Sequence, residues 1–273
     1  MDDATDVPIT TLPTSTPRMI ARTQGAVGWM IFNNPERRNA VSLDMWRAIP
    51  EILGDLDRDP LIKVIVMSGA GGRAFVSGAD ISQFETHRHD AASAGDYTDV
   101  LDRAWQALDT CGTPLVAAIE GFCFGAGVAI ALRADVRVAT EGSQFSIPAA
   151  RLGVTYPHDS IEALVSLVGP ARAKWILFSA KAFDAEESYR MGLVDQVVAP
   201  GDLQATVHDI ASTLAANAPL SIRHAKLAID HIARGLGEVA AIEELAARCL
   251  ESEDYREGRR AFMEKRPPLF TGR

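Results

Sequence analysis

Cysteine and histidine are scarce in this 273-residue sequence, and their spacing excludes several kinds of site. The three cysteines, Cys111, Cys123 and Cys249, are scattered and include no C-x-x-C pair. This usage is typical of a reducing compartment and excludes a disulfide framework. His87 and His89 lie in a polar stretch that we interpret as a solvated loop. We therefore predict no metal site, and we interpret Cys123 as a small buried side chain.

The sequence also has fewer basic than acidic residues, and it lacks long apolar runs. The sequence has 36 acidic against 27 basic residues, for a net charge of −9. This balance argues against a broad surface for nucleic acid or for anionic lipid. No apolar run approaches the roughly 20 residues of a membrane span, and the Thr- and Pro-rich start of the chain has no basic, apolar signal region. We expect a cytoplasmic protein with neither nucleic acid nor membrane as a partner.

Strand-like and helical patterns alternate along most of the chain, which predicts an α/β fold. Short apolar runs favour strands, and apolar residues at helical spacing favour helices. The clearest of these segments are Val27–Phe32, Leu43–Asp57, Val64–Ser68, Asp96–Leu108 and Leu115–Ile119. From about residue 203 onward the pattern is helical only. We divide the chain into a flexible tail (1–17), an α/β core (18–202) and a C-terminal helical region (203–273).

Two glycine-containing turns follow predicted strands and precede predicted helices. The first is Ala74–Ile81, and the second is Gly121–Gly127. Backbone N–H groups lack partners where a strand leads into a helix. Two such donors that converge on one carbonyl oxygen form an oxyanion hole. Glycines that only permit close packing or positive φ remain the alternative for either turn alone.

Taken together with four further segments, these turns give the chain a specific resemblance. The matching segments, in order, are NNPERRNAVS (33–42), GRAFVSGADIS (72–82), IEGFCFGAGVAIALRADVRVA (119–139), FSIPAARLGV (145–154), FDAEESYRMGLVDQVV (183–198) and EGRRAFMEKRPPLF (257–270). The sequence resembles the crotonase family, also called the enoyl-CoA hydratase/isomerase family. The similarity extends from Arg18 to the C-terminus.

The resemblance implies a crotonase-type spiral of ββα units with a C-terminal helical trimerisation region. Its members assemble as homotrimers or as dimers of trimers. The shared chemistry binds an acyl-CoA thioester and stabilises an enolate on the thioester oxygen. The two oxyanion donors then correspond to the backbone N–H groups of Ala79 and Ala126. Coenzyme A is part of the substrate, and the resemblance implies no other cofactor.

The resemblance also implies which residues contact CoA. Arg37 or Arg38 would meet the pyrophosphate, and Arg73 would flank the CoA. Phe262 and Lys265 would touch the adenine end from an adjacent subunit. The first-loop positions implied near CoA are Phe75, Ser77, Gly78, Asp80 and Ile81. We interpret Asp80 and Asp135 as structural, because a short acid after a turn most often bonds nearby amides. A solvated surface charge is the alternative for each arginine.

Both glutamates that hydratases of this family use to add water are absent. Their implied positions hold Ala129 and Ala149, and alanine can neither donate nor accept a proton. Because each general acid–base group is typically worth about 10²–10⁴ in rate, ordinary hydratase activity is disfavoured. The nearest candidate proton groups are Tyr156, His158 and Asp159. Tyr156 has the alternative of a pocket wall, and Asp159 that of a helix-capping box with a glutamate three residues later.

These observations favour an enzyme that acts on an acyl-CoA through an enolate, by isomerisation or another non-hydratase step. A catalytically silent acyl-CoA-binding protein on the same fold is the second hypothesis. A structural oligomer with a vestigial pocket is the third.

Overall fold

A computed structural model of the chain describes residues 8–80 and 91–273, and these residues form two sheets surrounded by helices. The strands are β1 (Ile9–Leu12), β2 (Met19–Gln24), β3 (Val27–Phe32), β4 (Val64–Gly69), β5 (Ala74–Val76), β6 (Leu115–Ile119), β7 (Phe122–Phe124), β8 (Val136–Thr140), β9 (Gln144–Ser146), β10 (Phe183–Asp184) and β11 (Gln196–Val198). The α-helices are α1 (Leu43–Arg58), α2 (Ala91–Thr110), α3 (Ala126–Ala131), α4 (Ala149–Leu152), α5 (His158–Ser179), α6 (Ala185–Met191), α7 (Leu203–Ala215), α8 (Pro219–Arg234), α9 (Val239–Glu251) and α10 (Glu253–Glu264).

The larger sheet has the strand order β1-β2-β3-β4-β6-β8-β11. Its first three strands are antiparallel, and the rest pair in parallel. In β4, Ile65 and Met67 join the main apolar core, whereas Val64 and Val66 join a second cluster on the other face. A strand buried on both faces reads as a continuous apolar run, which is why this segment was predictable.

The smaller sheet has the order β10-β9-β7-β5. Its strands β5, β7 and β9 are parallel and only three residues long. Each of these short strands follows a longer strand of the larger sheet along the chain: β5 follows β4, β7 follows β6 and β9 follows β8. The mixed α/β architecture agrees with the predicted spiral of ββα units.

The N-terminal boundary of the fold lies earlier than we predicted. We expected a flexible tail to residue 17, but Ile9–Leu12 pairs antiparallel with β2, and Thr16 is buried. The Ile-Thr-Thr-Leu sequence is rich in β-branched residues, which suit an edge strand. Tertiary pairing therefore orders a segment that composition alone marks as a tail. Residues 1–7 lie outside the described chain.

The chain after residue 202 is helical in the structure. The first of these helices, α7, packs Leu203, Val207 and Ala211 onto the second apolar cluster. Because α7 packs on the larger sheet, it is part of the core. The helices α8, α9 and α10 follow as an outer helical layer. Within residues 8–80 and 91–273, no helix is both long and apolar enough to cross a membrane.

Candidate functional site

The two predicted glycine turns meet at one edge of the smaller sheet. Strands β5 and β7 are parallel neighbours, so the loops that leave their carboxyl ends emerge side by side. A Cβ atom added to Gly125 would lie 3.8 Å from the Cα of Gly78. A Cβ on Gly127 would lie 2.1 Å from the carbonyl oxygen of Val76, which no side chain tolerates. The glycines therefore let the two backbones come into direct contact.

The two N–H groups predicted to form the oxyanion hole make no hydrogen bond to any residue that the structure describes. On either side of Ala79, the Asp80 N–H donates to the Val41 carbonyl at 2.9 Å, and the Gly78 carbonyl accepts from the Val41 N–H at 2.9 Å. Across residues 8–80 and 91–273, neither the Ala79 N–H nor the Ala126 N–H has an acceptor. Both residues are partly exposed. The edge thus offers two accessible main-chain donors from adjoining loops.

Tyr156 lies against the second of these loops. Its hydroxyl donates a hydrogen bond to the Gly125 carbonyl oxygen at 3.1 Å. The same oxygen accepts the Ala129 N–H, which is the first helical bond of α3. Burial raises the pKa of Tyr156 well above its ordinary value. The phenol therefore stays protonated through the neutral range and cannot act as a base there.

A buried arginine that sequence reasoning missed organises the groups around α3. Arg133 has no exposed side-chain surface, and its guanidinium lies 2.6 Å from Asp159 and 3.3 Å from Asp109. It also donates to the carbonyl of Ala129 at 2.9 Å and stacks over the Trp105 ring at 4.3 Å. The signal was a single charge inside an otherwise apolar run, because a buried cation must be paired.

The predicted capping box at Asp159 is wrong. Pro157 is the N-cap residue of α5, and its helix begins at His158. Asp159 therefore lies inside the first turn, where one oxygen accepts the Ser160 N–H at 2.8 Å and the other faces Arg133. His158 is exposed at the start of the same helix. The three candidate proton groups, Tyr156, His158 and Asp159, thus lie on one short segment, which begins at the hydrogen bond between Tyr156 and Gly125.

The two alanines at the implied glutamate positions occupy different surroundings. Ala129 is 1% exposed within α3, and Ala149 begins α4 and is partly buried. Both belong to the main apolar core or pack against it. Neither methyl group can take part in proton transfer, whatever substrate lies beside it.

The segment implied to bind the CoA pyrophosphate is tied to the first loop. The Ser77 N–H donates to the Arg38 carbonyl at 3.1 Å, and its hydroxyl donates to the Arg37 carbonyl at 3.3 Å. Arg37 pairs with Asp80 at 3.1 Å, and its side chain remains 58% exposed. Arg38 stacks on Phe122 with 4.8 Å between the guanidinium carbon and the ring centroid. An anion would thus meet arginines already held beside the loop.

The other residues implied to contact CoA are placed less uniformly. Arg73 is exposed just before β5. The expected contact between the Phe75 side chain and CoA is wrong, because that side chain is fully buried. Its ring packs edge-on against the Phe32 ring, with 5.7 Å between the centroids, so only the main chain of Phe75 could face a ligand. Phe262 is 81% exposed on α10, and Lys265 is the exposed C-cap of that helix. Ile81 lies outside the described residues, as do His87 and His89.

The two aspartates that we interpret as structural both have intramolecular partners. Asp135 accepts the Leu115 N–H at 2.7 Å and pairs with Lys226 at 2.6 Å. Asp80 holds Arg37 with only 10% of its side chain exposed. Each carboxylate therefore anchors an element next to the site.

Asn39 supports the first loop and was not singled out from the sequence. Its side chain is fully buried, and its amide donates to the carbonyls of Ala70 and Ala74 at 3.0 and 2.8 Å. Its oxygen accepts the Asn34 N–H at 2.8 Å. An asparagine in an Asn/Pro-rich turn was the available sequence signal, and the structure gives Asn39 a positive φ of 55°.

The cysteines and acids of the described chain do not suggest other chemistry. Burial raises the pKa of Cys111 to about 12 and raises that of Cys123 further. Cys123 is fully buried, as predicted. In residues 8–80 and 91–273, no group of three or more His, Cys, Asp or Glu residues could hold a metal ion.

Comparison with known proteins gives one consistent family. The sequence model of the enoyl-CoA hydratase/isomerase family matches residues 22–273. A short-chain-enoyl-CoA hydratase from Clostridium acetobutylicum is 30% identical over 253 residues, which are 91% of this chain and 95% of that protein. A crotonyl-CoA hydratase from Syntrophomonas wolfei is 30% identical over 89% of this chain and 94% of its own length. A solved enoyl-CoA hydratase/carnithine racemase from Magnetospirillum magneticum has a TM-score of 0.89 at 33% identity, covering 95% of this chain and 97% of that one.

Proposed function

The chain belongs to the enoyl-CoA hydratase/isomerase family, and we propose that it binds an acyl-CoA thioester and stabilises the enolate formed from it. One observation carries this proposal. The loops after β5 and β7 adjoin at Gly78 and Gly125, where a Cβ added to Gly125 would lie 3.8 Å from the Gly78 Cα, and each of these glycines is followed by an alanine whose N–H is free among the described residues. Two fixed main-chain donors at one edge suit a single oxygen that becomes negative during reaction.

The proposed chemistry centres on the thioester carbonyl. A base removes a proton from the carbon next to the carbonyl, and the electron pair of that C–H bond moves into the enolate. The negative charge that develops on the thioester oxygen is then shared with the N–H groups of Ala79 and Ala126. Loss of one such donor typically slows turnover by about 10²–10³. Double-bond migration follows when a proton returns to a different carbon.

We place the reaction outside water addition because of Ala129 and Ala149. The named relatives from Clostridium acetobutylicum and Syntrophomonas wolfei are hydratases. The resemblance implies that hydration needs a glutamate at each of these two positions. With neither present, this chain would differ from those relatives in its reaction while keeping the same carbonyl site. Isomerisation and other non-hydratase steps remain open to it.

The proton would be handled by a group on the segment 156–159. Asp159 is the candidate base, since its side chain is 42% exposed although one oxygen faces Arg133. His158 is exposed beside it. Tyr156 would enter only as a protonated donor, because burial raises its pKa.

We further propose that the active assembly is a homotrimer or a dimer of trimers. Large apolar side chains are exposed on the outer helices α8, α9 and α10, where a neighbouring copy would cover them: Ile229, Ile232, Leu250, Phe262 and Met263. In that assembly Phe262 and Lys265 would reach the CoA of an adjacent copy, while Arg37, Arg38 and Arg73 would serve the chain's own site. Light scattering should then give three or six times the chain mass of 29.4 kDa.

A catalytically silent acyl-CoA-binding protein is the alternative function, and one observation favours it. The Asp159 carboxylate is paired with a fully buried arginine, and the Tyr156 hydroxyl is bonded to Gly125. If both are held in these roles, the pocket would bind the thioester and move no proton.

Mass spectrometry of an acyl-CoA panel in heavy water separates these functions. The panel contains saturated, 2-enoyl and 3-enoyl thioesters incubated with purified protein. The proposal predicts deuterium uptake or double-bond migration for at least one of them. Saturable binding without any mass change would favour the silent binding protein. No binding at millimolar concentration would contradict both and leave a structural oligomer.

A further inference from the structure

We propose that Tyr156 is a positioning residue, which orients and polarises the peptide that supplies the Ala126 oxyanion donor. This inference rests on the proposed function, because it assigns a role within the same oxyanion site. It differs from proton transfer, since Tyr156 would act through the backbone and not on the substrate.

The geometry follows from the planarity of one peptide unit. The Gly125 carbonyl and the Ala126 N–H belong to the same peptide, and they point in opposite directions across its plane. Any group that fixes the carbonyl therefore fixes the direction of the N–H. The Tyr156 hydroxyl donates to that carbonyl oxygen at 3.1 Å, on the side away from the free N–H.

This peptide needs such an anchor because of the residue that precedes it. Gly125 has φ 52° and ψ −110°, a conformation that glycine adopts and other residues avoid. Rotation about ψ of Gly125 would turn the peptide and swing the Ala126 N–H out of the site. The Gly125 N–H is held by the Ser146 carbonyl at 2.8 Å. Its carbonyl is held by the Ala129 N–H at 3.1 Å and by Tyr156.

Tyr156 would also strengthen the donor electronically. A hydrogen bond to a carbonyl oxygen draws electron density from the peptide nitrogen, so the N–H becomes a better donor in turn. The carbonyl then receives two hydrogen bonds while its peptide N–H remains available for the thioester oxygen. The series of hydrogen bonds from Tyr156 through the Gly125–Ala126 peptide to the substrate is thus polarised in one direction.

The surroundings of the phenol fit this role. Its ring packs against the main apolar core together with Ala126 and Ala149, which fixes the position of the hydroxyl. Burial raises the pKa of Tyr156, so the hydroxyl keeps the proton that it donates.

The test compares Tyr156→Phe with the control Tyr189→Phe. Tyr189 is half-exposed on α6. The primary readout is the infrared stretch of a ¹³C-labelled thioester carbonyl in bound acyl-CoA, which moves to lower frequency as the carbonyl is polarised. We expect a clear downshift in the wild-type protein and in Tyr189→Phe, and a downshift at least about twofold smaller in Tyr156→Phe at unchanged affinity.

Kinetics supply the second readout. For any thioester that is turned over, kcat should fall about 5- to 50-fold in Tyr156→Phe while KM changes less than about twofold, the pattern of a lost transition-state interaction. A wild-type downshift that Tyr156→Phe leaves intact would overturn the positioning role alone. Absence of any downshift in the wild-type protein would overturn the proposed oxyanion site and this inference together.

Discussion

At the scale of single residues, the electrostatics near the site depend on Arg133. A guanidinium with no exposed surface must be compensated by acceptors, because an unpaired buried charge costs several kcal/mol. Asp109, Asp159 and the Ala129 carbonyl supply that compensation. Asp109 is 14% exposed, whereas Asp159 is 42% exposed. The more exposed carboxylate is therefore the one that can also face a substrate.

This difference allows the role of Asp159 to be tested with a matched control. Both Asp159→Asn and Asp109→Asn remove a charge that faces Arg133, but only the first removes the candidate base. We expect Asp159→Asn to lower turnover by about 10²-fold or more with little change in CoA binding. Asp109→Asn should keep most of the turnover and lower the free energy of unfolding by about 1–3 kcal/mol. Steady-state kinetics and urea unfolding provide the two measurements.

Equal losses of turnover in the two variants would place Asp159 in the ion-pair network and remove it from the proton chemistry. Unchanged turnover in Asp159→Asn would also show that Asp159 is not the base.

The residues of the site differ in how far the sequence could predict them. The assignment of Ala79 and Ala126 as oxyanion donors comes from the family resemblance and stays a prediction, although both residues lie in adjoining loops whose place in the chain the sequence indicated. Arg133 and Asn39 were missed because their partners come from distant parts of the chain. The capping box at Asp159 failed because Pro157 is the N-cap residue, so the helix begins two residues earlier than the pattern suggested. Local patterns reveal turns, but the partners of a buried polar group depend on the tertiary fold.

At the scale of elements, the site is built by two three-residue strands. Parallel pairing of β5 with β7 brings the two loops together, and the absence of a side chain at Gly127 lets its backbone approach the Val76 carbonyl oxygen. The helix α3 then presents Ala126 at its first position. The alignment of the donors therefore depends on backbone conformation at Gly125 more than on any side chain in the pocket.

Substitution of Gly125 should disturb the donors without a steric clash. An added Cβ would be in ordinary contact, 3.8 Å from Gly78, but residues other than glycine rarely adopt φ 52° with ψ −110°, and such a conformation costs alanine about 1–3 kcal/mol. We expect Gly125→Ala to shift the backbone and lower turnover by about 10²-fold.

The matched control for this substitution is Gly142→Ala. Gly142 has open space around it and no positive φ, so alanine there should leave turnover unchanged and stability equal or slightly higher. Assays of turnover beside thermal unfolding would separate the two effects. Full activity in Gly125→Ala would contradict the dependence of the site on this backbone conformation.

The predicted elements agree with the structure to different degrees. The predicted helix Leu43–Asp57 ends within one residue of α1, because its apolar stripe is strong. The predicted helix Asp96–Leu108 is shorter than α2, which begins at Ala91. The strand β1 was assigned to a tail because a four-residue strand is stabilised mainly by its pairing partner. Pairing between distant strands leaves little trace in a single sequence.

At the scale of the whole molecule, the proposed function retains one part of the family's chemistry and omits another. The backbone scaffold that would hold a thioester carbonyl is present, with its arginines beside the first loop. The side chains implied for water addition are absent at Ala129 and Ala149. Because the proposed carbonyl donors are main-chain N–H groups, whereas the acid–base groups of hydration are side chains, a substitution can remove the second and leave the first in place. Under the proposed function, the carbonyl site is therefore retained while the reaction differs.

The hydration rate of crotonyl-CoA is the measurement that tests this account most directly. Loss of the 2-enoyl chromophore and appearance of the 3-hydroxy thioester would be followed with purified protein at saturating substrate. With both acid–base positions held by alanine, each worth about 10²–10⁴ in rate, we predict binding of crotonyl-CoA with hydration barely above the uncatalysed rate. Rapid hydration at the rate of an efficient enzyme would contradict the account, since it would require acid–base groups other than those at positions 129 and 149.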